Sequence, residues 1–110
     1  MRIKDIMKKA GENAKEKGWW DNPPSFGEFI ALCHSELSEA LEEHRNGKCV
    51  AETYYSGAGA KPEGIPTELA DVVIRICDYC YNNQIDLEWA LKEKMNYNKT
   101  RPYRHGGKVL

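Results

Sequence analysis

The chain has 110 residues, 41% of them hydrophobic and 30% charged, and a formal net charge of −1. These values are typical of one globular domain and exclude a wholly disordered chain. The near-neutral charge gives no support for binding to nucleic acid or to a membrane surface, and no apolar run approaches the ~20 residues of a membrane span. The charged amino-terminal segment lacks the apolar core of a secretory signal, so we expect a cytoplasmic protein.

The spacing of apolar residues predicts four helices, at about residues 1–17, 25–46, 66–83 and 86–99. Gly18 is a stop signal for the first helix. Ser25, with Glu28 three residues later, forms a capping box for the second. Pro66 suits the first turn of the third helix, and Asp86 is a capping residue for the fourth.

The segments outside these helices contain residues that break regular structure. Residues 47–64 have no sustained period, so we predict a loop with a short extended piece at 52–55. Residues 100–110 form a basic tail that contains a proline and two glycines. We therefore predict a single all-α domain over residues 1–110, with a four-helix-bundle subunit.

The third predicted helix is apolar on two sides. One face carries Leu69, Val72, Val73, Ile76, Tyr79 and Cys80, and the other carries Ala70, Ile74, Cys77 and Tyr81. A helix that is apolar nearly all round is buried nearly all round. One small four-helix subunit has no place for such a helix. We therefore predict that the second face meets another copy in a homo-oligomer, either a dimer or a dimer of dimers.

A polar stripe runs through this apolar helix and consists of Glu68, Asp71, Arg75 and Asp78. Ionised groups on a buried helix are costly unless they are paired or bound to a metal. One interpretation is therefore an internal salt-bridge cluster around Arg75. In that case the protein is a non-catalytic, oligomeric helical binding module.

The second helix favours a different interpretation, because it repeats the spacing of the stripe. Glu36-x-x-Glu39 and Glu68-x-x-Asp71 each place two carboxylates about one helical turn apart on one face. Two such pairs on facing antiparallel helices bring four carboxylates together, and four anions need cations. Oxygen ligands without histidine favour Mg²⁺, with Mn²⁺ as a substitute, over Zn²⁺.

The fourth helix and the tail supply cations. Lys94 and Asn98 share a face with Leu87 and Leu91, and the basic segment continues beyond residue 99. Lysine and arginine side chains on such a segment suit a polyphosphate ligand. The candidate phosphate-binding residues are Lys94, Asn98, Arg101, His105 and Lys108.

Cys77 and Cys80 have the spacing of half a zinc or redox site, but they lie in an apolar segment without a second pair. We interpret them as buried thiols that act as small hydrophobic residues. The alternative is a zinc-stabilised bundle that uses both thiols with Cys33 or His34.

Together these motifs resemble the MazG-like all-α nucleoside triphosphate pyrophosphohydrolases. The resemblance rests on Glu36-Leu-Ser-Glu39, on Glu68-Leu-Ala-Asp71 and on a carboxy-terminal pattern. That pattern comprises Lys94, Asn98, Arg101-Pro102 and His105-Gly-Gly-Lys108. The resemblance covers about residues 18–108. It implies an oligomeric all-α subunit that hydrolyses a nucleoside triphosphate to the monophosphate and pyrophosphate and so cleans the nucleotide pool.

The resemblance also implies roles for single residues. Glu36, Glu39, Glu68 and Asp71 would hold Mg²⁺, and Glu39 would orient or deprotonate the attacking water. The triphosphate and the charge on the leaving pyrophosphate would be neutralised by Lys94, Asn98, Arg101 and Lys108. Trp19 and Trp20 precede the second helix, which carries Glu36 and Glu39. Their side chains suit stacking on a base or, equally, a place in the core or in an interface.

Overall fold

The computed structural model describes residues 1–103. Within them the chain folds into four helices and one two-stranded antiparallel sheet. The elements are α1 (Ile3–Glu16), α2 (Phe26–Arg45), β1 (Tyr54–Ser56), β2 (Lys61–Glu63), α3 (Ile65–Asn82) and α4 (Leu87–Lys99). The mostly helical architecture confirms the all-α prediction. None of these helices is both long and apolar enough to cross a bilayer.

Two predicted caps are present. The backbone N–H of Glu28 donates to Ser25 Oγ while the backbone N–H of Ser25 donates to a Glu28 carboxylate oxygen, both at 3.1 Å. The backbone N–H of Trp89 donates to Asp86 Oδ1 at 3.0 Å. Each cap satisfies backbone donors that have no partner within the helix, so the starts of α2 and α4 follow from the local sequence.

Helix α3 lies between α1 and α2 and contacts both extensively. On the α1 side, Met7 packs with the buried thiols of Cys77 and Cys80. A side chain at Gly11 would overlap the ring of Tyr81, so glycine is what allows the two helices to approach here.

The second apolar face of α3 is not wholly available to another copy, contrary to our prediction. Cys77 is 1% exposed and Tyr81 packs beside it, because α1 covers this end of the face. Ile74 is 47% exposed, as its part of the face has no cover within the chain. On the first face, Leu69 and Val73 are each 48% exposed. Helical periodicity identified α3 as apolar all round but not the side that α1 covers.

On the α2 side the two helices run in opposite directions. The ring of Phe29 stacks on that of Tyr79 with centroids 4.0 Å apart, whereas Glu39, ten residues later on α2, lies beside Glu68, eleven residues earlier on α3. This antiparallel arrangement brings the two predicted carboxylate pairs together.

The segment between α2 and α3 is more ordered than predicted, because it contains a β-hairpin. Tyr54 pairs with Glu63 and Ser56 with Lys61. Gly64 then joins the hairpin to α3 with φ of 118°, and a side chain there would overlap the carbonyl oxygen of Glu52. Only glycine fits this junction without strain.

Helix α4 is the least covered helix of the described chain. It packs mainly against α1, where Glu88 pairs with Arg2 at 3.2 Å and with Lys4 at 3.7 Å. None of its residues is fully buried. A closed bundle of four mutually packed helices is therefore not present within residues 1–103 of a single copy.

Candidate metal and phosphate site

Three of the predicted metal ligands meet at the α2–α3 interface. Glu36, Glu39 and Glu68 each offer one carboxylate oxygen, and these oxygens lie within 4.8 Å of one another. Glu36 is buried, Glu68 is half-buried and Glu39 is exposed. In residues 1–103 no other group of three or more histidine, cysteine or acidic side chains converges in this way. We refer to these three residues and Asp71 as the carboxylate cluster.

Glu68 shows how crowded this cluster is. Its pKa is raised to about 7, first because burial removes water from the carboxylate and then because Glu39, Glu36 and Asp71 lie beside it. A proton on Glu68 would let it hydrogen bond to Glu39. With every carboxylate ionised, the buried Oε2 of Glu68 has no hydrogen-bond partner among residues 1–103. A buried acceptor without a partner is costly and is satisfied by a donor or a cation.

Asp71 is the member of the cluster that does not converge with the other three carboxylates. Burial raises the pKa of Asp71, as do the neighbouring charges of Glu36 and Glu39, whereas Arg75 and Lys61 lower it. The influence of Lys61 reaches Asp71 because strand β2 leads directly into α3. Sequence reasoning missed this cation, since nothing in the local pattern indicated a strand there.

Arg75 is the cation that contacts the cluster directly. Its Nε–H donates to Oε1 of Glu36 at 2.9 Å. Glu36 is 8% exposed, the only charged or polar residue of residues 1–103 that is classed as buried. Part of the salt-bridge interpretation is therefore present. The salt bridge accounts for Glu36 alone, because no described lysine, arginine or histidine lies within 4.0 Å of the other three carboxylates.

The hairpin is anchored next to the cluster. The phenol of Tyr54 donates to Glu43, one turn beyond Glu39 on α2, with distances of 2.7 and 2.9 Å to the two carboxylate oxygens. This bond raises the pKa of Tyr54 to about 12, because only the protonated phenol can donate a hydrogen bond to the carboxylate. The amino group of Lys48 lies 4.3 Å from the centre of the same ring. Sequence reasoning did not identify this anchor.

Three of the predicted phosphate-binding residues, Lys94, Asn98 and Arg101, do not lie at the cluster of the same copy. Lys94 and Asn98 are on α4, which packs on α1, and Arg101 follows it. The amino group of Lys94 lies 5.4 Å from the ring of its own helix neighbour Tyr97. No ion pair among residues 1–103 links α4 to the carboxylate cluster. His105 and Lys108 lie outside the described residues.

A surface depression also lies on α4. It measures about 400 Å³ and is lined by Trp89, Ala90, Glu93, Lys94 and Tyr97. Since a single helix supplies the whole lining, this depression is an uncovered helix face rather than an enclosed site. It is separate from the carboxylate cluster.

The two tryptophans have different surroundings. Trp19 is 71% exposed. Trp20 is half-buried, and its indole N–H donates to Asp78 Oδ1 at 2.7 Å. Asp78 also accepts from Asn82 at 2.8 Å, so the fourth member of the polar stripe fixes a tryptophan and takes no part in the cluster. Trp20 thus has a structural role, whereas Trp19 is mostly exposed to solvent.

The cysteines do not converge as a zinc site would require. Cys77 and Cys80 lie in the α1–α3 core, and burial raises the pKa of both thiols. Cys33 is buried on α2 beside Glu36 and Arg75. No set of these thiols with His34 comes within metal-binding distance in residues 1–103. The buried thiols act as small hydrophobic residues.

Comparison of the chain with protein-family models, with curated proteins and with solved structures found no match.

Proposed function

We propose that the protein hydrolyses a nucleoside triphosphate to the monophosphate and pyrophosphate in a Mg²⁺-dependent reaction, as a MazG-like pyrophosphohydrolase. The observation that carries the proposal is the convergence of Glu36, Glu39 and Glu68 with a buried, unpartnered oxygen on Glu68. A set of carboxylate oxygens without histidine or thiolate matches the ligand preference of Mg²⁺ and Mn²⁺.

The residues present fit a hard divalent cation. Glu36, Glu39 and Glu68 would hold it, and Asp71, whose pKa is raised by the neighbouring charges of Glu36 and Glu39, would add a further carboxylate. Bound Mg²⁺ supplies polarisation of the phosphate and a lowered pKa for water in its shell. Magnesium usually keeps several waters and is completed by substrate phosphates, so an incomplete protein ligand set is suited to a nucleotide substrate.

Glu39 is suited to handling the water. It is the exposed member of the three converging carboxylates, so it can accept a proton and pass it to solvent. Glu36 is buried and paired with Arg75, so it is suited to be a ligand rather than a base in contact with solvent. Glu39 therefore orients or deprotonates the attacking water.

The phosphate-binding cations have to come from another copy. Lys94, Asn98 and Arg101 are carried by an element that packs on α1, while the cluster lies between α2 and α3. A site that needs both sets of residues is complete in a homo-oligomer, in which α4 and the following residues of one copy cover the cluster of the next. Lys94 and Arg101 then neutralise the triphosphate and the leaving pyrophosphate.

The surface of the chain supports this assembly. It exposes 8535 Å², about 2,300 Å² more than a compact monomer of this mass. The exposed apolar residues on α2, α3 and α4 include Leu37, Leu41, Leu69, Val73, Ile74, Trp89 and Met95. Large apolar side chains exposed on three helices favour an oligomer interface, so we propose a dimer or a dimer of dimers.

One panel assay tests the proposed reaction. Purified protein is incubated with canonical and damaged nucleoside triphosphates, with and without Mg²⁺, and pyrophosphate, orthophosphate and monophosphate are separated by ion chromatography. We expect equimolar monophosphate and pyrophosphate that require Mg²⁺. Binding of Mg²⁺–triphosphate without turnover would favour the binding-module alternative, for which the Arg75–Glu36 ion pair is the supporting observation.

A mixing experiment tests the shared site. Glu39→Gln lacks the water-activating carboxylate and Lys94→Ala lacks a phosphate-binding cation, so each variant alone has low activity. Hybrid oligomers place an intact cluster opposite an intact α4, and mixing after partial dissociation should restore activity. Lys92→Ala, on the same helix, is the matched control and should behave like wild type. If the mixtures stay as inactive as the single variants, the carboxylate cluster and the phosphate-binding residues of α4 act within one copy.

A further inference from the structure

Arg75 contacts the carboxylate cluster but has no role in the proposed reaction. Its Nε–H contacts Oε1 of Glu36 at 2.9 Å, and its side chain is 38% exposed whereas that of Glu36 is 11% exposed. It also lowers the pKa of Asp71 and is the cation nearest the interior of the cluster. A positive charge is therefore built into a site that is proposed to bind a divalent cation.

The burial of Glu36 explains why a cation is needed there. Glu36 is the most buried carboxylate of the cluster, so it bears the largest cost of losing water. Without a metal, removal of its partner would leave an uncompensated buried charge. Once a divalent cation binds the same carboxylate, the guanidinium and the metal repel each other across it.

We propose that Arg75 is the counter-ion of Glu36 in the metal-free protein and that it competes with the divalent cation for this carboxylate. The proposal rests on the metal site of the proposed function. Arg75 keeps the α2–α3 interface folded without metal and thereby lowers the affinity of the cluster for metal alone. It is a positioning residue, since its contact is to Glu36 rather than to the substrate.

Removal of Arg75 has two opposing effects on the affinity of the cluster for a divalent metal ion, and the larger effect sets the direction of the change. Loss of the hydrogen bond frees Glu36 to move, which weakens metal binding by the modest net contribution of one hydrogen bond. Loss of the positive charge removes its repulsion of a doubly charged ion bound to the same carboxylate, an interaction twice that of two unit charges at the same distance. The charge effect is the larger, so metal binding becomes tighter.

The experiment is titration of the nucleotide-free protein with MnCl₂, followed by electron paramagnetic resonance of the free ion. We expect Arg75→Gln to bind Mn²⁺ about tenfold more tightly than wild type. Arg75→Lys keeps the charge and should stay within about threefold of wild type. Arg45→Gln removes the same charge from the exposed pair with Glu42, 3.7 Å apart, and should leave Mn²⁺ affinity unchanged. Circular dichroism checks that each variant is folded.

A second measurement uses wild-type protein, so it does not depend on the folding of Arg75→Gln. The Nε–H resonance of Arg75, assigned by its absence from the Arg75→Lys spectrum, is followed by ¹⁵N nuclear magnetic resonance during titration with MgCl₂. We expect a shift towards the free arginine position and faster exchange with water as Glu36 is released.

The outcomes separate this inference from the proposed function. Saturable Mn²⁺ binding by wild type, with equal or weaker binding by Arg75→Gln, would overturn the competition and leave the metal site standing. An Nε–H signal that is unchanged at saturating Mg²⁺ would do the same. Absence of Mn²⁺ binding by wild type would overturn both.

Discussion

The two sides of α3 are built from opposite chemistry. Towards α1 the interface is apolar, with Met7, Cys77 and Cys80 in the core and Gly11 against the ring of Tyr81. Towards α2 it contains the buried carboxylate of Glu36 and the unpartnered oxygen of Glu68. Aromatic rings also pack on the α2 side, where Phe29 stacks on Tyr79, but only this side of α3 carries the carboxylate cluster.

Because of this difference, one side of α3 contributes mainly to the stability of the fold and the other carries the proposed reaction. Burial of apolar surface contributes favourably to the free energy of folding, whereas burial of carboxylates subtracts from it unless a cation compensates. The α1 side therefore stabilises the subunit, whereas the buried carboxylates on the α2 side carry a cost that the proposed metal ion would offset. Substitutions on the two sides should consequently affect different measurements.

The largest effect is expected on the α2 side. Glu39→Gln and Asp71→Asn each remove a proposed metal-binding charge with little change of shape, so we expect at least a hundredfold loss of turnover with the helical signal intact. The measurement is pyrophosphate release beside a circular dichroism melt. Glu42→Gln, an exposed neighbour on α2, is the control and should keep full activity. Near-normal turnover of either variant would contradict the four-carboxylate site.

The next effect concerns the uncovered part of α3. Ile74→Asp places a charge on a residue that is 47% exposed in one copy and buried in the proposed oligomer. We expect dissociation, with a cost of several kcal/mol to the assembled state. Light scattering measures the mass, and Val50→Asp, in an exposed loop, is the matched control. A stable and active wild-type monomer would remove the basis of the shared site.

A smaller effect is expected on the α1 side. Alanine at Gly11 gains about 1 kcal/mol of helix propensity, but its methyl group overlaps the ring of Tyr81. Overpacking of this kind costs about 1–3 kcal/mol, so Gly11→Ala should lower the free energy of unfolding while turnover at low temperature stays normal. In the control Gly27→Ala the new methyl group meets nothing within 4 Å, and stability should not fall. Equal melting curves for the two variants would show that α1 and α3 are not closely packed.

The smallest effect is expected at the hairpin anchor. Tyr54→Phe removes the hydrogen bonds to Glu43 on α2, which are only partly buried. Because water can replace them, we expect a slight fall in the melting temperature, smaller than for Gly11→Ala, together with faster amide exchange in β1 and β2. Tyr55→Phe is the control for a neighbouring exposed phenol. If the hairpin exchanged equally in both variants, the Tyr54–Glu43 contact would not be what holds it.

The sequence by itself determined the helices and the composition of the cluster. Capping residues act within one turn, so Ser25 and Asp86 fixed the starts of α2 and α4 without help from distant residues. The i, i+3 spacing likewise placed Glu36 with Glu39 on one face, and Glu68 then joined them across the interface.

Only the tertiary structure decided which partners these faces have. Periodicity shows that α3 is apolar all round, but whether α1 or another copy covers Cys77 depends on the close approach at Gly11. The placement of Arg75 on Glu36 and of α4 away from the cluster likewise depends on distances between elements far apart in the chain. Such distances are set by the packing of whole helices, which local spacing does not encode.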